Sequence, residues 1–88
     1  MKIKENDVML LVNTDYIPGK TLKPLGLVSG DGVPLLYGTF ISDKIRNRAI
    51  KRMTVEATAL GADAIINVRW IFESGQAFVY GTAVKYED

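Results

Sequence analysis

The hydrophobic pattern is clearest between residues 42 and 61, where it predicts one amphipathic helix. Ser42 can cap its first turn, because its hydroxyl can accept a backbone N–H, and Gly61 can end it in a left-handed conformation. Lys51 and Arg52 belong to a basic face that also holds Lys44 and Arg48. At about 100° per residue, the opposite face carries an apolar stripe with Ile50 on its flank: Ile45, Ala49, Met53, Ala57 and Leu60.

Two residues depart from this helical pattern. Arg46 lies near the apolar stripe, where its aliphatic stem can pack on the core while its guanidinium stays in water. Alternatively, Arg46 is paired at a subunit interface or in a pocket. Val55 lies on the basic face, and a single exposed valine needs no special explanation. The alternative for Val55 is a subunit contact.

A β-hairpin is predicted directly after the helix. Its first strand alternates strictly, which predicts one buried apolar face made of Ala64, Ile66, Val68, Trp70 and Phe72. Ser74-Gly75 fits a two-residue connection. The return strand, from Gln76 to Tyr86, is apolar on both faces. Antiparallel sheets usually leave one face in water, so we expect a second layer of this chain or another subunit to cover the return strand.

The N-terminal half predicts shorter elements. The apolar run from Val8 to Val12 fits a strand buried on both faces, and a turn cluster follows at 13–19. A second strand is predicted from Thr21 to Ser29, with Leu25 and Leu27 on one face. Pro24 places its start at a sheet edge or a bulge. Gly30-Asp31-Gly32 predicts a turn, and 33–41 a short strand or an ordered loop. Residues 1–88 are thus expected to form one α+β domain.

The length of 88 residues makes the core of such a domain marginal. Small domains compensate with disulfides, metals or oligomerisation. The chain has no cysteine and no histidine, so it lacks disulfides and the thiolate and imidazole ligands that zinc and copper prefer. We therefore predict no metal site and no cofactor, and oligomerisation is the compensation that stays open.

The charge is nearly balanced, with eleven Lys and Arg against ten Asp and Glu. This gives no overall basic field, and the predicted helix carries no aromatic side chains for stacking on bases, so a nucleic-acid partner is not expected. No apolar run approaches the roughly 18 residues of a membrane-spanning helix. The N-terminus also lacks the apolar core of a signal peptide, so we expect a cytoplasmic protein.

The candidate chemistry is sparse. Without His or Cys the familiar nucleophile triads are absent, and no catalytic residue is predicted. Asp63 stands out, because it lies between the helix end and the hairpin and can accept backbone N–H groups there. As a hard-metal ligand or a general base it would need converging partners. Together with Arg46 and Arg69, Asp63 is a candidate structural or interface position.

Several segments together resemble the YbjQ-type family of small uncharacterised bacterial and archaeal proteins, often labelled heavy-metal-binding. The segments are Thr14 to Lys20, Leu25 to Gly30, Leu60-Gly61-Ala62-Asp63-Ala64 and Gly81-Thr82-Ala83-Val84. The resemblance implies a helix packed on a curved antiparallel sheet and a ring-like homo-oligomer, a pentamer. This chain lacks the longer Gly-Gly-Arg stretch that the family carries before the helix. Its only sulfur atoms belong to Met1, Met9 and Met53, which as thioethers are expected to fill space.

The expected function is that of a non-enzymatic oligomeric module that binds a small ligand or a protein partner. Two alternatives stay open. The first is a metal binder with oxygen ligands, or an anion binder, that uses Asp63 or Arg46 at subunit boundaries. The second is an enzyme of unrecognised type.

Overall fold

The computed structural model describes residues 9–32, 43–73 and 76–87, with the backbone alone at 43 and 44. In chain order these residues form β1 (Leu10–Leu11), β2 (Thr21–Gly32), α1 (Asp43–Ala59), β3 (Ala64–Glu73) and β4 (Gln76–Glu87). The strands make one sheet in the order β1-β3-β4-β2. All neighbours are antiparallel except β1 and β3. The predicted α+β fold, with a helix on a mostly antiparallel sheet, is confirmed.

The helix packs its predicted apolar stripe against one face of the sheet. Ile45, Ala49, Met53 and Ala57 are all buried there. Leu60 is half exposed, so its predicted place on the stripe is wrong. The helix ends at Ala59, and the chain has already turned away at Leu60. Gly61 ends the helix as predicted, with a φ of 82°. The predicted cap, Ser42, lies outside the described residues, as does the segment 33–41. No helix in the described residues is long and apolar enough to cross a membrane.

Gly30 and Gly32 bring the helix backbone close to the sheet. A Cβ on Gly30 would lie 2.7 Å from the backbone nitrogen of Met53 and would also collide with the carbonyl of Ala49. A Cβ on Gly32 would collide with the carbonyl of Ile45. The turn predicted at 30–32 is therefore wrong. These residues continue β2, and the glycines are needed because only they leave room for the helix.

Strand β2 is an edge strand with a bulge, as Pro24 predicts. The register with β4 shifts between Pro24 and Gly26. Leu25 then packs on the helix-side core, while Leu27 on the other face is 81% exposed. The prediction that these two leucines share a face is wrong, because the bulge changes the alternation.

The helix also covers part of the outer edge of β2. The backbone N–H of Ser29 donates to the Glu56 carboxylate at 2.8 Å. Asp31, two residues after Ser29 on β2, forms an ion pair with Arg52 at 3.2 Å. Glu56 thus occupies a backbone N–H of β2 that would otherwise be available to another strand, and Arg52 occupies a carboxylate on the same edge.

A second bulge lies in β3 and changes which side chains are buried. Asn67 adopts a φ of 55°, and the register with β4 shifts between Ile66 and Arg69. Asparagine tolerates this left-handed conformation better than most residues. Ala64 and Ile66 face away from the helix, whereas Trp70 lies opposite Val79 of the helix-side core. The prediction of one continuous apolar face along β3 is therefore wrong.

Strand β1 is short and lies at the edge of the sheet. Leu10 is half exposed, so the predicted burial on both faces is wrong. Backbone bonds continue past the strand, from Val12 N–H to Ile65 O at 3.0 Å and from Asn67 N–H to Thr14 O at 2.8 Å. The following loop brings Ile17 over a small second core on the face away from the helix, built from Ala64, Ile66 and Val84. At this end of the sheet, β4 is covered on both faces by its own chain.

Candidate functional site

A groove lies beside the helix, above the part of the sheet that the helix leaves uncovered. The helix packs on β2 and β4, and β1 forms the opposite wall of an open cavity of about 860 Å³. The sheet order explains the groove, because β1 and β3 lie beyond the width that one helix can cover. The groove is lined by Met9, Leu11, Asn47, Ile50, Lys51, Thr54, Val55, Thr58, Ala62 and Asp63.

The helical wall of this groove follows helical spacing. Lys51, Thr54, Val55 and Thr58 lie at positions i, i+3, i+4 and i+7 and so share one flank of α1. Val55 is 61% exposed. It is not an isolated surface valine, since Met9, the residue before β1, lines the same groove.

Lys51 supplies an uncommitted positive charge to the groove. Its side chain is exposed, and it makes no ion pair in the part of the chain that the structure describes. The neighbouring lining residues Asn47, Thr54 and Thr58 add amide and hydroxyl groups that can donate hydrogen bonds. The helical wall therefore presents one cation and several neutral donors around an apolar strip.

Asp63 lines the end of the groove, but its carboxylate already has partners. Its Oδ2 accepts the backbone N–H of Tyr86 at 2.8 Å and lies 3.6 Å from Nζ of Lys85. Its own N–H donates to the carbonyl of Val84 at 2.8 Å. Lys85 also donates to the carbonyl of Gly61 at 3.3 Å. These contacts support the structural interpretation, in which Asp63 fastens the helix exit to β4.

The other two candidate positions lie outside the groove. Nη1 of Arg69 donates to the carbonyl of Asn13 at 3.0 Å and to that of Val68 at 3.2 Å, which ties β3 to the loop after β1. Arg46 is half-buried on the helix and does not line the groove. The structure thus does not bring Arg46, Asp63 and Arg69 together in this groove.

Metal-binding side chains do not converge in the part of the chain that the structure describes. Among the described residues there is no group of three or more His, Cys, Asp or Glu that could hold a metal ion. Of the thioethers described, Met53 is completely buried in the core and Met9 lines the groove. Zinc and copper sites in proteins are built mainly from thiolate and imidazole ligands, and the chain has neither. The described residues therefore do not assemble the ligands of a zinc or copper site.

The groove itself was not predicted from the sequence. Its only sequence signal is Val55 on the basic face, four residues after Lys51. That signal indicates an apolar strip beside a cation, but not what lies opposite. The opposite wall comes from Met9 and Leu11, about forty residues earlier, and depends on the parallel pairing of β1 with β3.

Comparison with known proteins gives concordant matches in sequence and in structure. Residues 36–87 match the YbjQ family model, whose description is "Putative heavy-metal-binding". The chain is 40% identical to a UPF0145 protein of Alkaliphilus metalliredigens, over 89% of this chain and 99% of that one. It is 36% identical to a UPF0145 protein of Clostridium novyi, over 88% and 98%. The resemblance predicted from the motifs is confirmed.

A solved structure shares the fold. The crystal structure of a protein of unknown function from Pediococcus pentosaceus, assigned to the DUF74 family, matches with a TM-score of 0.71. The match covers 90% of this chain and 98% of that one at 17% sequence identity. At this identity the likeness establishes the fold alone.

Proposed function

The chain belongs to the YbjQ family, and we propose that it is a non-enzymatic binding module that works as an assembly of identical subunits. The names of its relatives state no reaction. The proposal depends on the surface of the sheet that faces away from the helix, because an exposed apolar surface of this kind marks an interaction site.

The observation that carries the proposal is an apolar patch on this surface, which we call the outer patch. It consists of Leu27, Ile71, Phe78 and Tyr80. Leu27 is 81% exposed, and Ile71 and Tyr80 are each nearly half exposed. The strand register places the four side chains at neighbouring positions on β2, β4 and β3. Covering them with protein would remove a substantial apolar area from water, which favours association.

The edge of β3 supports the same conclusion. β1 pairs with β3 only at its beginning, and no described strand lies beside β3 from Arg69 to Glu73. On this stretch, Trp70 and Phe72 stack with ring centroids 5.5 Å apart. The three residues between the charged ends of this stretch are apolar, and an open apolar edge without proline accepts another strand. The opposite edge of the sheet, β2, is less open to another strand. Glu56 occupies one of its backbone N–H groups, and Pro24 has no N–H to offer.

The occupant that we propose for the outer patch is a second copy of this chain. An 88-residue domain without disulfides gains its missing burial most directly from its own copies. Contact between different surfaces of neighbouring copies forms a ring when the rotation between copies closes, and a ring can cover the open edge of every subunit. A pentamer is the ring that the family resemblance implies.

The test is a charge placed on the outer patch. Leu27→Asp leaves the isolated subunit intact, because the side chain is exposed, but it buries a carboxylate at the proposed interface. We expect sedimentation velocity to show an assembly for the unmodified chain and mostly single subunits for the variant at the same concentration. Circular dichroism is expected to be unchanged.

Val55→Asp is the matched control, since it replaces another exposed aliphatic side chain by aspartate on a different surface. It is expected to leave the assembly intact. If Leu27→Asp has the sedimentation coefficient of the unmodified chain, or if only Val55→Asp dissociates the subunits, the outer patch is not the interface.

A further inference from the structure

We propose that the groove between α1 and β1 binds a small amphipathic anion, with an apolar body and one acidic group. This inference names a ligand class for the proposed binding function, but it does not depend on the assembly through the outer patch. The groove lies on the helix side of the sheet, whereas the outer patch lies on the opposite side.

The size and lining of the groove fit a small organic molecule. Its volume of about 860 Å³ lies within the range of roughly 300–1,000 Å³ that is usual for ligand sites. The apolar part of the lining can bury the body of such a ligand and consists of Met9, Leu11, Ile50, Val55 and Ala62. The flexible thioether of Met9 can adapt its shape to a planar or a linear body.

The charge of the groove selects an anion. Lys51 is the cation of the lining and has no ion-pair partner among the described residues. Asp63 is the carboxylate of the lining, and it is already held by Tyr86 N–H and Lys85. A ligand therefore meets an available positive charge and a negative charge that is already paired with Lys85. A cationic ligand would have to compete with Lys85 for Asp63.

The position of Lys51 relative to the apolar lining sets the ligand's orientation. Val55 follows Lys51 by one helical turn, so an acidic group at Lys51 places the attached apolar body over Val55. Thr54 and Thr58 lie on the same flank and can donate hydroxyl hydrogen bonds to the acidic group or to a polar substituent. The arrangement distinguishes an amphipathic anion from a purely apolar molecule.

The test uses two fluorescent probes that differ by one charged group. They are 1-anilinonaphthalene-8-sulfonate and N-phenyl-1-naphthylamine, which has the same rings without the sulfonate. With the full chain in its native assembly state, we expect saturable binding of the sulfonate probe and weaker binding of the neutral probe. Lys51→Gln is expected to lower the affinity for the sulfonate probe about threefold to fivefold, the range of an exposed ion pair, and to leave the affinity for the neutral probe unchanged.

Two matched controls test whether the probe binds in the groove: Lys23→Gln for the loss of a charge, and Ala59→Asp for the gain of one. Lys23→Gln removes an equal charge from an exposed residue outside the groove and is expected to leave both affinities unchanged. Val55→Asp puts a negative charge beside the negatively charged probe and is expected to lower the affinity for the sulfonate probe at least about tenfold. Ala59→Asp, at an exposed helical position outside the groove, is expected to have little effect.

Three results would overturn the inference. They are equal affinity for both probes, full sulfonate-probe affinity in Val55→Asp, and loss of binding in Leu27→Asp but not in Val55→Asp. The last result would assign the probe to the outer patch. The probe-binding test and the test of the proposed assembly can fail independently of each other. A monomer that binds the sulfonate probe contradicts the assembly alone, and an assembly that does not bind it contradicts this inference alone.

Discussion

Asp63 accepts the backbone N–H of Tyr86 at 2.8 Å, so a side chain continues the hydrogen-bonded ladder where β3 begins. The same residue donates its own N–H to Val84, at 2.8 Å. One short carboxylate thus joins the exit of the helix to the last strand. A longer side chain at this position would have to fold back to reach the same N–H group.

This relationship predicts the stability of an Asp63 variant. Asp63→Ala leaves the N–H of Tyr86 without its acceptor and removes the carboxylate beside Lys85, and it is expected to reduce the free energy of unfolding by about 1–2 kcal/mol. For a domain of this size, that lowers the melting temperature by several degrees. The measurement is thermal unfolding at fixed protein concentration, because the stability of any protein that self-associates depends on its concentration.

Asp15→Ala is the control for this prediction, since Asp15 is exposed in the loop after β1. It is expected to change the melting temperature very little. If Asp63→Ala keeps the melting temperature of the unmodified chain but loses binding of the sulfonate probe, Asp63 serves the groove and not the joint.

The close approach of helix and sheet predicts a larger effect at Gly30. A Cβ there meets the backbone of Met53 at 2.7 Å, and backbone cannot move aside as a flexible side chain can. Gly30→Ala is expected to cost about 3 kcal/mol of unfolding free energy, the upper end for overpacking. Denaturant unfolding measures this cost.

Gly61→Ala provides the comparison for Gly30. Among the described residues other than its two chain neighbours, no atom lies within 4 Å of a Cβ placed there, so only the φ of 82° opposes the substitution. That left-handed conformation costs about 1–2 kcal/mol for a residue with a side chain. A cost at Gly61 equal to or greater than that at Gly30 would contradict the account of helix packing.

Local sequence signals predicted the parts of the fold that depend on local chemistry. The spacing of Ile45, Ala49 and Met53 predicts the buried helix face, because 3.6-residue periodicity is a property of the helix alone. Gly61 predicts the helix end, and Pro24 predicts an edge strand with a bulge, for similar reasons. None of these predictions needs to know which residues lie nearby in space.

The predictions were wrong where contacts between residues far apart in the sequence determine the structure. The bulge at Asn67 is held by a backbone bond to Thr14, more than fifty residues earlier, and it reverses which side chains of β3 face the helix. Gly30 and Gly32 have the composition of a turn, but the helix backbone above them explains their presence. The groove depends on the sheet order, so Val55 alone could not reveal it.

Metal binding gives a prediction that runs against the family description. Zinc and copper bind tightly to thiolate and imidazole, and the chain contains neither cysteine nor histidine. Isothermal titration of the native protein with zinc or copper at neutral pH is expected to show no saturable, stoichiometric heat. A saturable site with a fixed number of ions per chain would show that oxygen or thioether ligands suffice here.

The most direct test of the central claim is the mass of the unmodified protein in solution. One chain has a mass of 9.7 kDa, and it exposes the outer patch around Leu27 and the free edge of β3 around Ile71. Light scattering coupled to size exclusion, at micromolar concentration, is predicted to give a mass several times that of one chain. A mass of 9.7 kDa under these conditions would contradict assembly through the outer patch.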